Sequence, residues 1–167
     1  MNKKGFTLIE LLIVIALLGV LAVGLLATID PFEQLKKGRD TSTRNIVEEF
    51  YNAALRYYAI NKEFPWEDEP QTAEDLSDGV MNTYVSMIYD AGELKEAFLY
   101  ASGLEDVYVS STSCDGSGSA CDDLTVCFNP ESKAFRGDNN TKFGSAGTEY
   151  DETACGPTIN SCYWCIR

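Results

Sequence analysis

The sequence predicts an α+β fold, in which a long N-terminal helix packs on a small antiparallel β-sheet head that contains disulfides. Three observations predict it. Residues 6–29 are mostly apolar and contain one carboxylate, and residues 30–61 continue with apolar side chains at helical spacing. After Gly103, short β-prone runs alternate with turn-forming residues, and all six cysteines lie in this last third of the chain. Helices followed by a small sheet are typical of the α+β class.

The first element is the apolar segment of residues 6–29, which would extend about 36 Å as a helix. This length is sufficient to span a bilayer. A secretory signal has a shorter apolar core with a small-residue cleavage site after it, whereas here the small residue, Gly5, precedes the segment. We therefore expect a leader peptide of residues 1–5 and a helix that is retained. Lys3 and Lys4 should keep the N-terminus cytoplasmic.

A single carboxylate, Glu10, lies one turn inside this apolar segment. A charge in hydrocarbon costs about 2.5 to 3.5 kcal/mol and needs a cation and hydrogen bonds to offset it. The spacing of Gly5, Phe6 and Glu10, directly after two lysines, resembles the start of a type IV pilin precursor or of a type II secretion pseudopilin. The alternative is a simple signal anchor with an incidental glutamate.

The resemblance implies how the chain would be processed and assembled. A prepilin peptidase would cut after Gly5, the new amino terminus at Phe6 would be N-methylated, and Glu10 would pair with the amine of a neighbouring subunit. The product would be a homo-oligomeric helical filament, built by pilus assembly machinery in the inner membrane. Before assembly the chain would be a single-pass membrane protein with a cytoplasmic N-terminus. Afterwards it would form an extracellular filament on the cell surface.

The second element, residues 30–61, is predicted to be the amphipathic continuation of the helix. Asp30 before Pro31 is an N-cap signal, and we expect a kink at this point. Phe64-Pro65-Trp66 ends the helix, and the detailed resemblance to pilins extends to about there. We assign the following side chains to the core: Phe32, Val47, Phe50, Tyr51, Ala54, Leu55, Tyr57 and Tyr58.

The third element is a globular head, residues 62–167. The patterns Thr72-x-x-Asp75 and Asp90-x-x-Glu93 predict two helix starts, and the second helix should end at Gly103. Strands are predicted at residues 107–109, 124–128, 134–135 and 163–166, with a turn at residues 129–132.

The cysteines indicate disulfides, because an even number is clustered in a domain predicted to be exported. Side chains alternate along a strand, so Cys127 and Cys165 could share the outer face of the sheet and bridge adjacent strands. The alternative is a zinc site at Cys162-x-x-Cys165, although the chain has no histidine and no second CxxC. The favoured pairing is Cys114 with Cys121, Cys127 with Cys165, and Cys155 with Cys162.

Composition limits the classes of function. The net charge is −13, and loss of Lys3 and Lys4 with the leader would leave 11 basic against 26 acidic side chains, a net charge of −15. We expect no direct nucleic-acid binding by the body of the domain, since that affinity comes largely from Lys and Arg. With no histidine base, nucleophile elbow or phosphate loop, the sequence predicts no enzyme and no cofactor.

Three short motifs carry little weight. Arg136-Gly137-Asp138 matches an integrin-binding tripeptide, which we interpret as a chance match among loop-forming residues. Asn139-Asn140-Thr141 fits the N-glycosylation pattern. Asp115, Asp122 and Asp123 lie in a Gly/Ser-rich loop that could bind calcium, but a solvated loop is favoured because EF-hand spacing is absent.

Three hypotheses of function follow, and they belong to different classes. The first is a structural subunit of an extracellular type IV pilus, with cell adhesion among its conceivable roles. The second is a pseudopilin of a type II secretion or DNA-uptake machine. The third is a monomeric membrane-anchored binding domain. Gly5 and Glu10 argue against the third, whereas the sequence does not separate the first two.

Overall fold

The computed structural model describes residues 5–28, 30–67, 69–114, 121, 123–151, 154–159 and 161–167. The chain divides into two compact units, Met1–Leu35 and Lys36–Arg167. The described residues form four α-helices, two short 3₁₀ helices and five strands in one antiparallel sheet. This arrangement confirms the predicted α+β class.

The smaller unit contains helix α1, Leu8–Thr28, and the beginning of helix α2, Pro31–Asn61. Within the described part of the chain, α1 is the helix with the length and apolar composition of a membrane span. Asp30 lies between the two helices, and its Oδ1 accepts hydrogen bonds from the backbone N–H groups of Phe32 and Glu33, at 3.1 and 3.3 Å. The N-cap predicted at Asp30 is therefore confirmed.

In the larger unit, α2 contributes one face to the core. Two of the core predictions are wrong. Leu55 is 39% exposed, because the buried face is centred on Phe50 and Ala53 and turns away from position 55. Phe32 is 73% exposed and lies in the smaller unit. Tyr51, Tyr57 and Tyr58 are half-buried against the core. The buried apolar residues of α2 are Ile46, Val47, Phe50, Ala53 and Ala54.

The sheet has the strand order β1-β2-β3-β5-β4, and each neighbouring pair is antiparallel. The strands predicted near residues 107–109, 124–128 and 163–166 are confirmed as β2, β3 and β5. The two edge strands, β1 and β4, were not predicted. The strands span Gln71–Asp75 (β1), Val107–Ser111 (β2), Thr125–Phe128 (β3), Thr141–Phe143 (β4) and Tyr163–Ile166 (β5).

The helix start predicted at Thr72-x-x-Asp75 is wrong, because these residues belong to β1, which pairs with β2. The N-cap lies six residues after Thr72, at Asp78. Asp78 Oδ1 accepts a hydrogen bond from the Val80 N–H at 3.0 Å, and helix α3 runs from Gly79 to Asp90. Asp75 instead accepts hydrogen bonds from the N–H and hydroxyl of Ser77, which shapes the turn between β1 and α3.

The helix start predicted at Asp90 is also wrong, because Asp90 is the last residue of α3. Gly92, with a φ of 82°, reverses the chain, and a 3₁₀ helix, Glu96–Tyr100, follows in place of an α-helix ending at Gly103. A second 3₁₀ helix spans Leu104–Asp106. The predicted strand at residues 134–135 is wrong as well. These residues belong to the short helix α4, Lys133–Arg136. Ser132 Oγ caps this helix by accepting a hydrogen bond from the Phe135 N–H.

Three disulfides cross-link the larger unit, and they form the favoured pairing: Cys114–Cys121, Cys127–Cys165 and Cys155–Cys162. Strands β3 and β5 place Cys127 directly opposite Cys165. Both lie with Phe143 in a small cluster on the face of the sheet opposite to Val126, Phe128 and Trp164, which belong to the main core. Because Cys162 and Cys165 belong to different disulfides, the alternative of a zinc site at these residues is excluded.

One buried polar contact connects α2 to the loop before α4. Asp40 is only 3% exposed, and its carboxylate accepts hydrogen bonds from the backbone N–H groups of Glu131 and Ser132 at 2.9 and 2.8 Å. The Ser132 hydroxyl donates a third bond, at 2.5 Å. A buried carboxylate is stable only when its lone pairs are satisfied in this way.

Candidate functional site

The candidate site is the start of α1, where Gly5, Phe6 and Thr7 precede the first helical residue, Leu8. A Cβ added to Gly5 would meet nothing within 4 Å, and Phe6 is 78% exposed. The peptide bond between Gly5 and Phe6 is therefore accessible and lies outside regular structure, as a peptidase requires of its substrate. Lys3 and Lys4 lie outside the described residues.

Glu10 and Thr7 form a reciprocal cap at the beginning of α1. Glu10 Oε2 accepts hydrogen bonds from the Thr7 N–H at 2.9 Å and from the Thr7 hydroxyl at 2.7 Å. The Glu10 N–H in turn donates to Thr7 Oγ1 at 3.3 Å. This geometry is a capping box, in which a threonine and the glutamate three residues later satisfy backbone donors that the helix leaves open.

The cap corrects one premise of the sequence analysis, which treated Glu10 as a group that needs a partner from outside its own helix. Thr7 already supplies two donors, and the partial positive charge of the helix N-terminus also favours a carboxylate at this position. The signal was present in the sequence as Thr7-x-x-Glu10 before an apolar run. Both bonds from Thr7 to the side chain go to the same oxygen, Oε2.

The rest of α1 presents apolar side chains outward. Every side chain described from residue 5 to residue 26 is exposed, and Glu10 is the only charged one among them. The apolar stretch Leu8–Leu26 is 19 residues long, which corresponds to about 28 Å of helix. An apolar surface of this size marks contact with a membrane or with other proteins.

The other candidate sites of the sequence analysis find little support. Asp123 lies in a polar network, where its carboxylate accepts from the Ser113 N–H at 2.8 Å and from the Thr112 hydroxyl at 3.3 Å. Asp115 and Asp122, the other two proposed calcium ligands, lie outside the described residues. Among the residues that the structure does describe, no group of three or more acidic, cysteine or histidine side chains could hold a metal ion.

The two surface motifs are built into folded structure. In Arg136-Gly137-Asp138, the Arg136 Nε donates to the Pro130 carbonyl at 2.9 Å, and Gly137 ends α4. The tripeptide is therefore not presented as an extended loop. In Asn139-Asn140-Thr141, Thr141 is 3% exposed and its hydroxyl donates to the Phe135 carbonyl at 2.6 Å. The hydroxyl that a glycosylation enzyme must reach is thus engaged in the folded head.

One carboxyl in a cleft has a shifted pKa. Burial, followed by the charges of Glu105 and Glu131, raises the pKa of Asp106 against the opposing effect of Arg39. Shifted groups in clefts often mark active sites. The described residues that line this cavity, about 300 Å³ in volume, include no lysine, cysteine or histidine that could share in proton transfer. Packing and neighbouring carboxylates account for the shift.

Comparison with known protein families gives a match that covers the candidate site. Residues 1–26 match the family described as Prokaryotic N-terminal methylation motif. No curated protein and no solved structure matches the chain. Together with the apolar helix α1, the motif fits a precursor of the type IV pilin or pseudopilin kind, a structural rather than an enzymatic class. Such a motif implies processing by a prepilin peptidase and anchoring in the membrane before assembly.

Proposed function

We propose that the chain is the precursor of a structural subunit of an extracellular type IV pilus-like filament. In this proposal residues 1–5 are the leader and residues 6–29 form a helix that spans the membrane first and lies in the filament core afterwards. Residues 30–61 continue the helix into the head, and residues 62–167 form the head that faces the medium. Gly5 and Phe6 are the cleavage site, and Phe6 is the N-methylated residue.

The observation that carries the proposal is one capped carboxylate at the start of an otherwise apolar and exposed helix. Helix α1 contributes no buried side chain to the fold among those described, so its apolar side chains serve contacts outside the chain. A membrane anchor alone would need no glutamate. A helix that must pack against copies of itself in one register benefits from a single polar pair that specifies the alignment.

The chemistry of cleavage supplies the other member of that pair. Hydrolysis of the bond after Gly5 turns the Phe6 nitrogen from an amide into an ammonium group, and N-methylation retains its positive charge. The Thr7 N–H remains an amide, so the bonds from Thr7 to Glu10 Oε2 survive cleavage. Thr7 thus holds the carboxylate in a fixed position, where it can accept a charge-assisted hydrogen bond from the Phe6 amine of a neighbouring subunit.

The head has the properties that an extracellular location demands. Three disulfides form in oxidising compartments and persist there. The strongly acidic composition keeps the surface of an exposed subunit soluble.

The proposal is tested on the mature protein. Intact-mass analysis of membrane and sheared material should give a chain that begins at an N-methylated Phe6, and electron microscopy of the sheared material should show filaments of this subunit. A mature chain that begins at Met1 would contradict the processing step. A correctly processed chain that forms only short structures retained in the envelope would instead support a pseudopilin and overturn the extracellular filament.

A further inference from the structure

The charges of residues 30–167 are distributed unevenly along the chain. Residues 62–132 contain 16 acidic and two basic side chains, whereas residues 30–61 and 133–167 together contain nine of each. The acidic part includes β1, at one edge of the sheet, and the balanced part includes β4, at the other edge. The two edges of one sheet therefore differ in charge.

Cations gather beside the β4 edge around a cavity of about 350 Å³. Arg44 lies over the ring of Trp164, with its Cζ 4.9 Å from the centroid. Lys142 Nζ and Arg167 Cζ lie 5.6 and 4.9 Å from the centroid of Phe143. We call these three cations and two rings the cationic pocket. Contact with the rings restricts the cations to this wall of the head.

Two carboxylates pair with the cations of the cationic pocket. Glu48 pairs with Arg44 at 2.9 Å, and Glu149 accepts from Lys142 at 2.7 Å and from Arg167 at 3.2 Å. Lys142 and Arg167 thus share one carboxylate. The pocket therefore has cations with which a further carboxylate can pair.

At the opposite edge, β1 presents carboxylates that such a pocket would bind. Glu74 is exposed on β1, and Glu67 and Glu69 lie shortly before it. β1 and β4 are separated by three strands, which places them about 19 Å apart at a spacing of about 4.8 Å per strand. Glu74 and Lys142 of the same chain therefore cannot meet.

Building on the proposed filament, we infer that the cationic pocket binds the acidic β1 edge of a second copy of this chain. An interface between two different patches is heterologous, and such interfaces produce open helical assemblies when the rotation between copies does not close a ring. The general repulsion between heads of like charge is screened beyond about 8 Å at physiological ionic strength, whereas groups in contact still attract. Complementary edges thus allow very acidic heads to pack side by side.

Cross-linking of wild-type filaments tests the inference directly. A carbodiimide joins an amine to a carboxylate in contact with it, without a spacer. Lys142 and Glu149 are 2.7 Å apart, so their link within one chain is the control for reactivity. We expect additional links from Lys142 to Glu67, Glu69 or Glu74, which the width of the sheet allows only between copies. Links from Lys142 to Glu149 alone would overturn the inference while leaving the filament itself in place.

Charge reversal supplies an independent test in the full-length chain. Lys142→Glu and Glu74→Lys should each lower filament yield by about tenfold at matched membrane levels, because each creates like charges in the contact. Combined in one chain, the two reversals should restore most of the yield. Since the two sites are at opposite edges, restoration cannot come from repair of the fold. Lys95→Glu and Glu96→Lys, exposed residues away from both edges, are the matched controls. A double variant no better than either single variant would contradict the inference.

Discussion

The two compact units differ in where their apolar side chains find partners. In the larger unit, Phe50, Phe64 and Trp66 are at most 2% exposed, so this part of the chain supplies its own core. In the smaller unit, the described side chains of α1 up to Leu26 are all exposed. Burial of apolar surface is the main favourable contribution to folding and association. The environment that stabilises α1 must therefore come from outside the chain, from lipid at first and then, in our proposal, from other copies.

The same contrast appears in two carboxylates that bind backbone N–H groups near a helix start. Asp40 is buried, and it accepts hydrogen bonds from the backbone N–H groups of Glu131 and Ser132, which lie 91 and 92 positions further along the chain. Glu10 is exposed and joins Thr7, three positions away. The hydrogen-bond partners of Asp40 all belong to the same folded unit. The contact of Glu10 holds the carboxylate at a surface where, in our proposal, a neighbouring subunit must reach it.

The largest effect is expected from changes at Glu10. Glu10→Leu should insert into the membrane and be cut after Gly5, but enter filaments at least about tenfold less well, since it lacks the charged partner of the Phe6 amine. Glu10→Gln sharpens the test, because glutamine can still complete a capping box but carries no charge. Filament yield at matched membrane levels is the measurement.

Thr7→Ala is the matched control for these variants. It removes the hydroxyl of the cap, at a cost of about 1 kcal/mol to the helix start, but keeps the carboxylate. Its filament yield should fall much less than that of Glu10→Gln. If Glu10→Gln assembles as well as the wild type, the carboxylate serves only as a cap and the proposed pairing with the amine is wrong.

The second largest effect concerns the larger unit. Replacing both Cys127 and Cys165 with serine should lower the free energy of unfolding of the head by about 2 to 5 kcal/mol. Replacing Cys155 and Cys162 is the comparison. Their separation is 7 residues against 38, so the loop-entropy estimate is smaller by about 1.5 kcal/mol. Denaturant unfolding of the membrane-extracted chain, followed by tryptophan fluorescence, measures both, and equal losses would show that loop length is not the controlling variable.

Sequence reasoning was most successful where the governing rule is local. The apolar segment, the Asp30 cap and the strands β2, β3 and β5 each follow from spacing within a few residues. The pairing of Cys127 with Cys165 followed from strand alternation, because adjacent side chains in a strand face opposite sides of the sheet. The cap of Glu10 by Thr7 is just as local, and it was not predicted although Thr7-x-x-Glu10 carries its signal.

The predictions that were wrong concern elements whose structure depends on distant parts of the chain. β1 has the sequence Gln-Thr-Ala-Glu-Asp, which has low strand propensity, and it is a strand because β2 supplies its hydrogen-bond partners. Ala73 has a φ of 55°, and its N–H is bound by the Ser110 hydroxyl at 2.9 Å. The contact between Asp40 and Ser132 cannot be predicted from a local sequence pattern either, because nothing near Asp40 in the sequence indicates its partner.

A third prediction therefore concerns Asp40. Asp40→Ala should lower the free energy of unfolding of the head by about 2 to 3 kcal/mol, because it leaves the N–H groups of Glu131 and Ser132 without their acceptor in a buried place. Asp40→Asn keeps one acceptor oxygen and should cost less. Membrane insertion and cleavage after Gly5 should be unchanged in both. A loss below about 0.5 kcal/mol for Asp40→Ala, measured by denaturant unfolding, would show that water replaces the carboxylate.

The smallest effect concerns the acid dependence of the cationic pocket. The hydrogen bond and charge of Lys142, with a further contribution from Arg167, lower the pKa of Glu149. A group whose pKa is lowered by folding contributes stability that is fully present above its unfolded pKa, about 4.3, and is lost as the pH falls through the lower folded value. Glu149→Gln should therefore destabilise the head slightly at neutral pH and have no effect well below pH 4. The denaturant midpoints of the wild type and of Glu149→Gln, compared across this pH range, show whether the loss of stability disappears towards acid pH. A Glu149→Gln variant more stable than the wild type at neutral pH would mean that Glu149 repels its surroundings, which would contradict its pairing with Lys142 and Arg167 in the cationic pocket.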